Sequence, residues 1–427
     1  MLLVLIAFVY FLFTGMPVAF AIGISGFLWF LQHLSLPITI PIQRALSQTQ
    51  NFALLAIPMF IFAGNIMNHA GVTRRLMNLA STLTGHMRGG LGQVSAVLST
   101  LMGGVSGSSI ADAAMETRML GPEMLKRGYH KGFAVAVNVW TSLITPIIPP
   151  GIAFIIYGTI GQVSIGRLFA AGIVPGLMLM IAYMISISIS ARRLGLEPER
   201  DRRASAKEIS VALSKSIWSV IFPILLILGL RTGIFTPSEV GSFAVIYGLL
   251  VGFIAHRELK LKTLLGETMD NTVSDIGSVM YIIVMSAIFG YGMVWERLPE
   301  TLASFLLGIT TNPYALMIVI MFFLVLAGMF IDATALILML TAILLPVARQ
   351  IGLDPVHFGL IFIMSAAMGN QTPPVGASMY AGCSVLGASV EEYMRASWPF
   401  LIATIAVITV LIFFPELVLF LPDIIFG

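Results

Sequence analysis

MGNQTPPVGASMY, residues 368–380, is the stretch on which the reading of this chain turns. It lies between GLIFIMSAA (359–367) and AGCSVLGA (381–388), two apolar arms of what would otherwise be one membrane helix. Adjacent prolines, two glycines, Asn370, Gln371 and Thr372 are turn-formers set at membrane depth. Proline has no amide to donate and its ring clashes with the preceding turn, so Pro373-Pro374 must stop a helix. Carbonyls freed inside lipid cost several kcal/mol each unless something satisfies them. The break therefore calls for an occupant.

Composition fixes the surroundings. Of 427 residues, 58% are hydrophobic and 10% charged, against roughly 25% charged in a soluble domain. Such a chain cannot cover a water-facing surface, so lipid is its solvent. Apolar runs near the ~20 residues that cross a bilayer recur at 2–31, 168–191, 211–230, 235–255 and 400–420. They do not alternate as barrel strands do, which makes the fold an all-α polytopic membrane protein. The first run has no basic leader or small-residue cleavage site and reads as one retained helix. Cys383, the single cysteine, excludes an internal disulfide and reads as a packed thiol.

The segment 192–215, RRLGLEPERDRRASAKEISVALSK, carries seven basic residues and reads as a cytoplasmic linker. Counting crossings from it puts 16 of the 23 Lys and Arg inside, the N-terminus in the cytoplasm and the C-terminus outside. The count closes only if 89–127 and 312–350 each enter and leave on one side. Their arms, of roughly 15 residues, would reach about 22 Å, short of the ~30 Å hydrocarbon core. Re-entrant hairpins fit better than pairs of short spanning helices. The tips fall at GGVSGSS (103–109) and near GMFIDAT (328–334).

The chain also matches itself. Gly104, Pro122 and Gly128 align with Gly328, Pro346 and Gly352 at a shift of 224; His130, Gly132 and Thr145 align with His357, Gly359 and Thr372 at 227. The shift returns to 224 for Pro149, Pro150, Gly158 and Pro175. Two units follow: 51–192 with hairpin 89–127 and broken helix 132–158, and 274–427 with hairpin 312–350 and broken helix 356–384. Residues 1–50 form an N-terminal scaffold helix and loop, and 193–273 the cytoplasmic linker and further scaffold helices. By the crossing count the units are inverted, an arrangement of secondary transporters whose site lies at the midplane.

The breaks offer carbonyls and the hydroxyls of Thr145 and Thr372, hard oxygen ligands suited to Na⁺. The tips add Ser106, Ser108 and Ser109 on one hairpin, and Asp332 and Thr334 on the other. Amides starting the second arms, near Ile110 and Ala335, would present positive potential to an anion. Asp332 reads as functional because an intramembrane carboxylate is costly, or as a hairpin-tip cap; Asp112 has the same two readings. His130 and His357 read as interfacial. The stretches 73–85 and 299–308 read as amphipathic connecting arms.

GMPVAFAIG (15–23), LLAIPMFIFAGNIM (54–67), GGVSGSSIADAAM (103–115), PIIPPGIAFIIYG (146–158), GIFTPSEVGSFAVIYGLLV (233–251) and MFIDATALILMLTAILLPVARQIGLDPVHFGLIFIM (329–364) together resemble the large membrane subunit of TRAP transporters, the tripartite ATP-independent periplasmic carriers. The resemblance spans nearly the whole chain. It implies an elevator mechanism in which hairpins and broken helices slide as a transport domain against a scaffold. It also implies Na⁺ as the coupling ion, with no other cofactor, and uptake of an organic acid across the bacterial inner membrane. The partners it implies are a small four-helix membrane subunit and a periplasmic substrate-binding protein. By motif position, one sodium site would use Ser106, Ser109, Thr145, Ile148 and Pro149, and the other Gly328, Gly369, Thr372 and Val375. Ser106, Ser108, Ser109, Asp332 and Thr334 would face the substrate. Asn370 and Gln371 stand where the family is often apolar, and PPG replaces the more usual PPS.

A C4-dicarboxylate, a sialic acid or another sugar acid fits the substrate role. A stand-alone sodium–carboxylate carrier needing no binding protein is the alternative. A channel would want charge rings or a carbonyl filter, and none is visible; an enzyme would want paired carboxylates, HExxH or a nucleophile with its base, but no HExxH occurs and Asp332 has no obvious acidic partner. Without GxxxxGK[ST], nucleotide coupling has no visible site, and nothing suggests nucleic acid.

Overall fold

The computed structural model describes residues 1–427, the side chains at 303, 306, 307 and 309 excepted. Every regular element among the described residues is helical, and seven helices are long and apolar enough to cross a bilayer. The longest uninterrupted α-helix, Ile165–Leu194, carries a stripe of exposed apolar side chains at Leu177, Ile181, Ile185 and Ile189. Spacing of four residues puts them on one face, as expected of a helix side that meets lipid.

One sequence of elements occurs twice. The first hairpin has arms Gly90–Gly103 and Ser109–Lys126 joined by 104–108, and the second has Pro313–Gly328 and Ala333–Gln350 joined by 329–332. Each is followed by a helix interrupted at its double proline. Lys131–Thr141 tightens into Ser142–Ile144, stops, and resumes as Ile152–Gly161; Pro355–Gly369 stops and resumes as Ala377–Leu386. Both double-proline peptide bonds are cis. A long helix with an internal proline follows each, Ile165–Leu194 with Pro175 and Val390–Phe413 with Pro399.

Local chemistry explains the punctuation. Ser108, Asp332 and Asp354 sit at N-caps and accept backbone amides of the helices they open. Ser164 and Ser389 do the same for the long helices. Gly128 and Gly352, at φ +83° and +77°, end the second arms in the left-handed region that glycine enters without penalty. The core sits around the first halves of the broken helices, buried from Gly132 to Thr141 and from Val356 to Gly369.

The N-terminal region departs from the expected single helix followed by a loop. It forms three helices, Leu2–Phe13, Val18–Gln32 and Thr39–Thr49. Gly15 at φ +81° and Pro17 at the cap of the second helix explain the first interruption. The second hairpin arms are 18 residues each, longer than expected, and still reach only about 27 Å at 1.5 Å per residue. His357 is not interfacial. It is 2% exposed and its Nε2 lies 2.8 Å from the Leu411 carbonyl.

Candidate functional site

Glycine lets backbone meet backbone where hairpins touch breaks. A Cβ on Gly107 would lie 3.2 Å from the Pro150 carbonyl and 3.5 Å from the Ile152 nitrogen, so the first tip rests on the first break. A Cβ on Gly369 would come within 2.4 Å of Gly328 Cα, so the second tip rests on the second break. The Met329 carbonyl, at that tip, accepts hydrogen bonds from Val375 N at 3.2 Å and Gly376 N at 3.0 Å. Gly64, on the helix Ala56–His69, brings a neighbouring helix against the Val105 carbonyl of the first tip.

These contacts enclose a cavity of about 490 Å³. Ser106, Ser108, Ser109, Asp332 and Thr334 all line it. The helices Ser109–Lys126 and Ala333–Gln350 both start at its wall, and the unpaired amides of a helix start carry partial positive charge. Asp332 caps its helix and also faces the cavity. Its Oδ1 accepts the Thr334 amide at 2.8 Å, capping the helix, while its Oδ2 accepts from Asn370 Nδ2 at 3.2 Å on the cavity wall.

The oxygens assigned to the first ion site are partly together. The Ser106 hydroxyl donates to Asp112, which is 1% exposed and does not cap its helix. Thr145 is fully buried beside Asp112, and its hydroxyl has no well-formed partner. Ile148 packs on Gly103 of the hairpin and precedes the cis Pro149-Pro150 pair. Ser109 instead turns to the second unit, its hydroxyl 3.4 Å from that of Ser378. In the second group, Gly328 touches Gly369, and the Thr372 hydroxyl donates to the Gly369 carbonyl at 2.9 Å. Val375 joins them through Met329.

Sequence reasoning missed part of the wall. Asn65 and Asn68, from Ala56–His69, and Asp275, from Met269–Trp295, line the same cavity. Asn65 Nδ2 donates to Asp275 Oδ2 at 3.0 Å and to the Thr272 hydroxyl at 3.2 Å. Polar residues within otherwise apolar helices were the available signal. Asp275 also gives Asp332 a second carboxylate in the cavity, where the sequence suggested none. Gln371, polar where the family is often apolar, is buried with both ends of its amide unpaired.

The family model for the DctM component of tripartite ATP-independent periplasmic transporters matches residues 5–417. The sialic acid TRAP transporter large permease protein SiaM of Vibrio cholerae is 34% identical over 418 residues, covering 97% of each chain. The 2,3-diketo-L-gulonate TRAP transporter large permease protein YiaN of Escherichia coli is 32% identical, covering 95% of each. Among solved structures, the Alcanivorax borkumensis YdaH transporter superposes with a TM-score of 0.65 at 13% identity, covering 91% of this chain and 90% of that one. That likeness is one of fold.

Proposed function

The chain belongs to the family of DctM components of tripartite ATP-independent periplasmic transporters, and from that premise we propose that it carries an organic acid inward by sodium-coupled secondary transport. It is a multi-pass protein of the inner membrane; the distribution of basic residues supports a cytoplasmic N-terminus and a periplasmic C-terminus. Its partners in this reading are a small four-helix membrane subunit and a periplasmic substrate-binding protein. Relatives named for sialic acid, diketogulonate and C4-dicarboxylate support a sugar acid or a C4-dicarboxylate as the substrate in this reading.

One observation carries the reading: both hairpin tips and both helix breaks meet around a single cavity. No lysine or arginine is among its lining residues. A carboxylate would therefore be held by helix-start amides and by the hydroxyls of Ser106, Ser108, Ser109 and Thr334, while Asp332 accepts hydrogen bonds from substrate hydroxyls. Sodium, as cargo, would enter the two oxygen-rich breaks and offset both the exposed carbonyls and the carboxylates nearby. Each ion then strengthens the potential that holds the anion, which is the coupling.

Hairpins and broken helices move together in this reading as one elevator-like body. The inverted relation of the two units gives that body its two access states. Reconstitution into vesicles with the small subunit and the binding protein tests it. Labelled sugar acid should accumulate only under an inward sodium gradient and only with the binding protein present. Uptake indifferent to sodium overturns the coupling. Uptake without a binding protein favours the stand-alone carrier.

A further inference from the structure

Glu116 lies on the helix Ser109–Lys126, away from every residue assigned above to substrate or sodium, and is fully buried. Its carboxyl occupies a cage of oxygens. Ser99 donates to Oε1 at 2.7 Å, and Ser95 Oγ lies 2.8 Å from Oε2. Ser95 Oγ also lies 2.9 Å from Asn138 Oδ1 and 2.8 Å from Thr141 Oγ1. Thr141 Oγ1 lies 2.8 Å from the Val137 carbonyl, its nearest carbonyl, 3.2 Å from the Asn138 carbonyl and 3.4 Å from Glu116 Oε2.

The surroundings supply no counter-charge. On the same helix Asp112 is one turn away, Arg118 and Lys126 are exposed, and Glu123 is half-exposed. The packed arm Gly90–Gly103 has no ionisable residue. Lys131–Thr141 has only Lys131, exposed at its start, and Ala377–Leu386 has only the Cys383 thiol and the exposed Tyr380. Among the described residues no ion pair includes Glu116.

The hydrogen count favours a neutral acid. The contacts Ser95–Glu116, Ser95–Asn138, Ser95–Thr141 and Thr141–Val137 each need one hydrogen. The two hydroxyls supply two. Asn138 Oδ1 and the Val137 carbonyl only accept, and the Asn138 amide nitrogen is turned to Met124 Sδ at 3.7 Å. With Ser95 donating to Asn138 and Thr141 to Val137, the contacts of Ser95 with Glu116 and with Thr141 both lack a hydrogen. A proton on Oε2, donated to Ser95 Oγ, fills the first of these and removes a buried charge that has no counter-ion. Oxygens 2.7–2.9 Å apart are already in hydrogen-bond contact and leave no hole for a metal ion.

We propose that Glu116 is a proton-binding site that loads and unloads during transport, so that uptake is linked to protons as well as to sodium. Ser106 and Asp112 place polar side chains between the cavity and the cage. The proton leaves Oε2 to water as the carboxylate forms, and returns by the reverse step. The transport part rests on the carrier reading above; the protonation part does not.

Infrared spectroscopy of the purified full chain in lipid vesicles, without substrate, sodium or partners, tests protonation. A carbonyl band of a neutral carboxylic acid is expected at neutral pH, fading as pH rises, absent in Glu116→Gln and retained in Asp112→Asn. Absence of any such band in the wild type, or its persistence in Glu116→Gln, overturns the site. If Glu116→Gln fails to fold, retention in Asp112→Asn together with the alkaline loss decides. Next, vesicles containing the whole complex receive an inward pH gradient at equal sodium. Several-fold accumulation is expected for wild type and none for Glu116→Gln; equal accumulation by both overturns the linkage.

Discussion

The two break threonines occupy the same aligned position and face different tasks. Thr145 has a buried hydroxyl beside Asp112 with no well-formed partner, so Thr145→Ala removes an oxygen that holds little of the fold together. Folding should be unchanged, while the sodium needed for half-maximal uptake should rise about tenfold, the effect of losing roughly 1.4 kcal/mol of binding. Thr372 donates to Gly369, so Thr372→Ala should show a similar sodium shift and also lose about 1 kcal/mol of stability. Sodium titrations of uptake and denaturation in parallel check both. Asp332→Asn keeps an oxygen for the Thr334 amide but removes the charge. Uptake should fall at least ~10-fold with normal insertion, and normal uptake would remove Asp332 from the site. Residues of this kind were legible in the sequence because a hydroxyl or carboxylate inside an apolar run has few structural excuses. Asn65 and Asp275 were not, because they come from helices outside the repeat motifs, and only the folded contact brings them to the cavity.

At the level of the elements, the tips are held by absent side chains. Gly328 and Gly369 approach so closely that a Cβ on Gly369 meets Gly328 backbone at 2.4 Å. Gly369→Val should therefore lift the second tip and cost about 1–3 kcal/mol, the usual range for overpacking. Thermal unfolding of the purified chain and sodium titration should worsen together. Breaks and hairpins could be located from sequence because proline and glycine act locally. The end of the first N-terminal helix was harder to see. One glycine and one proline at 15 and 17 sit in a long apolar run, where hydropathy alone reads straight through. His357 misled for the same reason: a polar residue at a segment entrance suggests an interface, whereas packing against Val390–Phe413 buries it.

For the molecule as a whole, Gly64 and Val105 mark where the helix Ala56–His69 meets the first hairpin tip. If hairpins and broken helices slide against that helix, Gly64→Cys with Val105→Cys, in a Cys383→Ser background, should lose uptake on oxidation and regain it on reduction. Unchanged uptake by the oxidised, cross-linked protein would count against relative motion of the two bodies.

Tyr157, in the resumed half of the first broken helix, donates its hydroxyl to the Pro355 carbonyl at 2.8 Å, and its ring fills the space a Cβ on Gly359 would take. Arg349, ending the second hairpin, donates to the Gly161 carbonyl at 2.8 Å. Each half of the polypeptide thus braces a helix terminus of the other. Neither could be borrowed alone as a smaller pump, and a bulky change at the mouth of one is expected to be felt at the far half's floor. The duplicated halves are obliged to share a single fate.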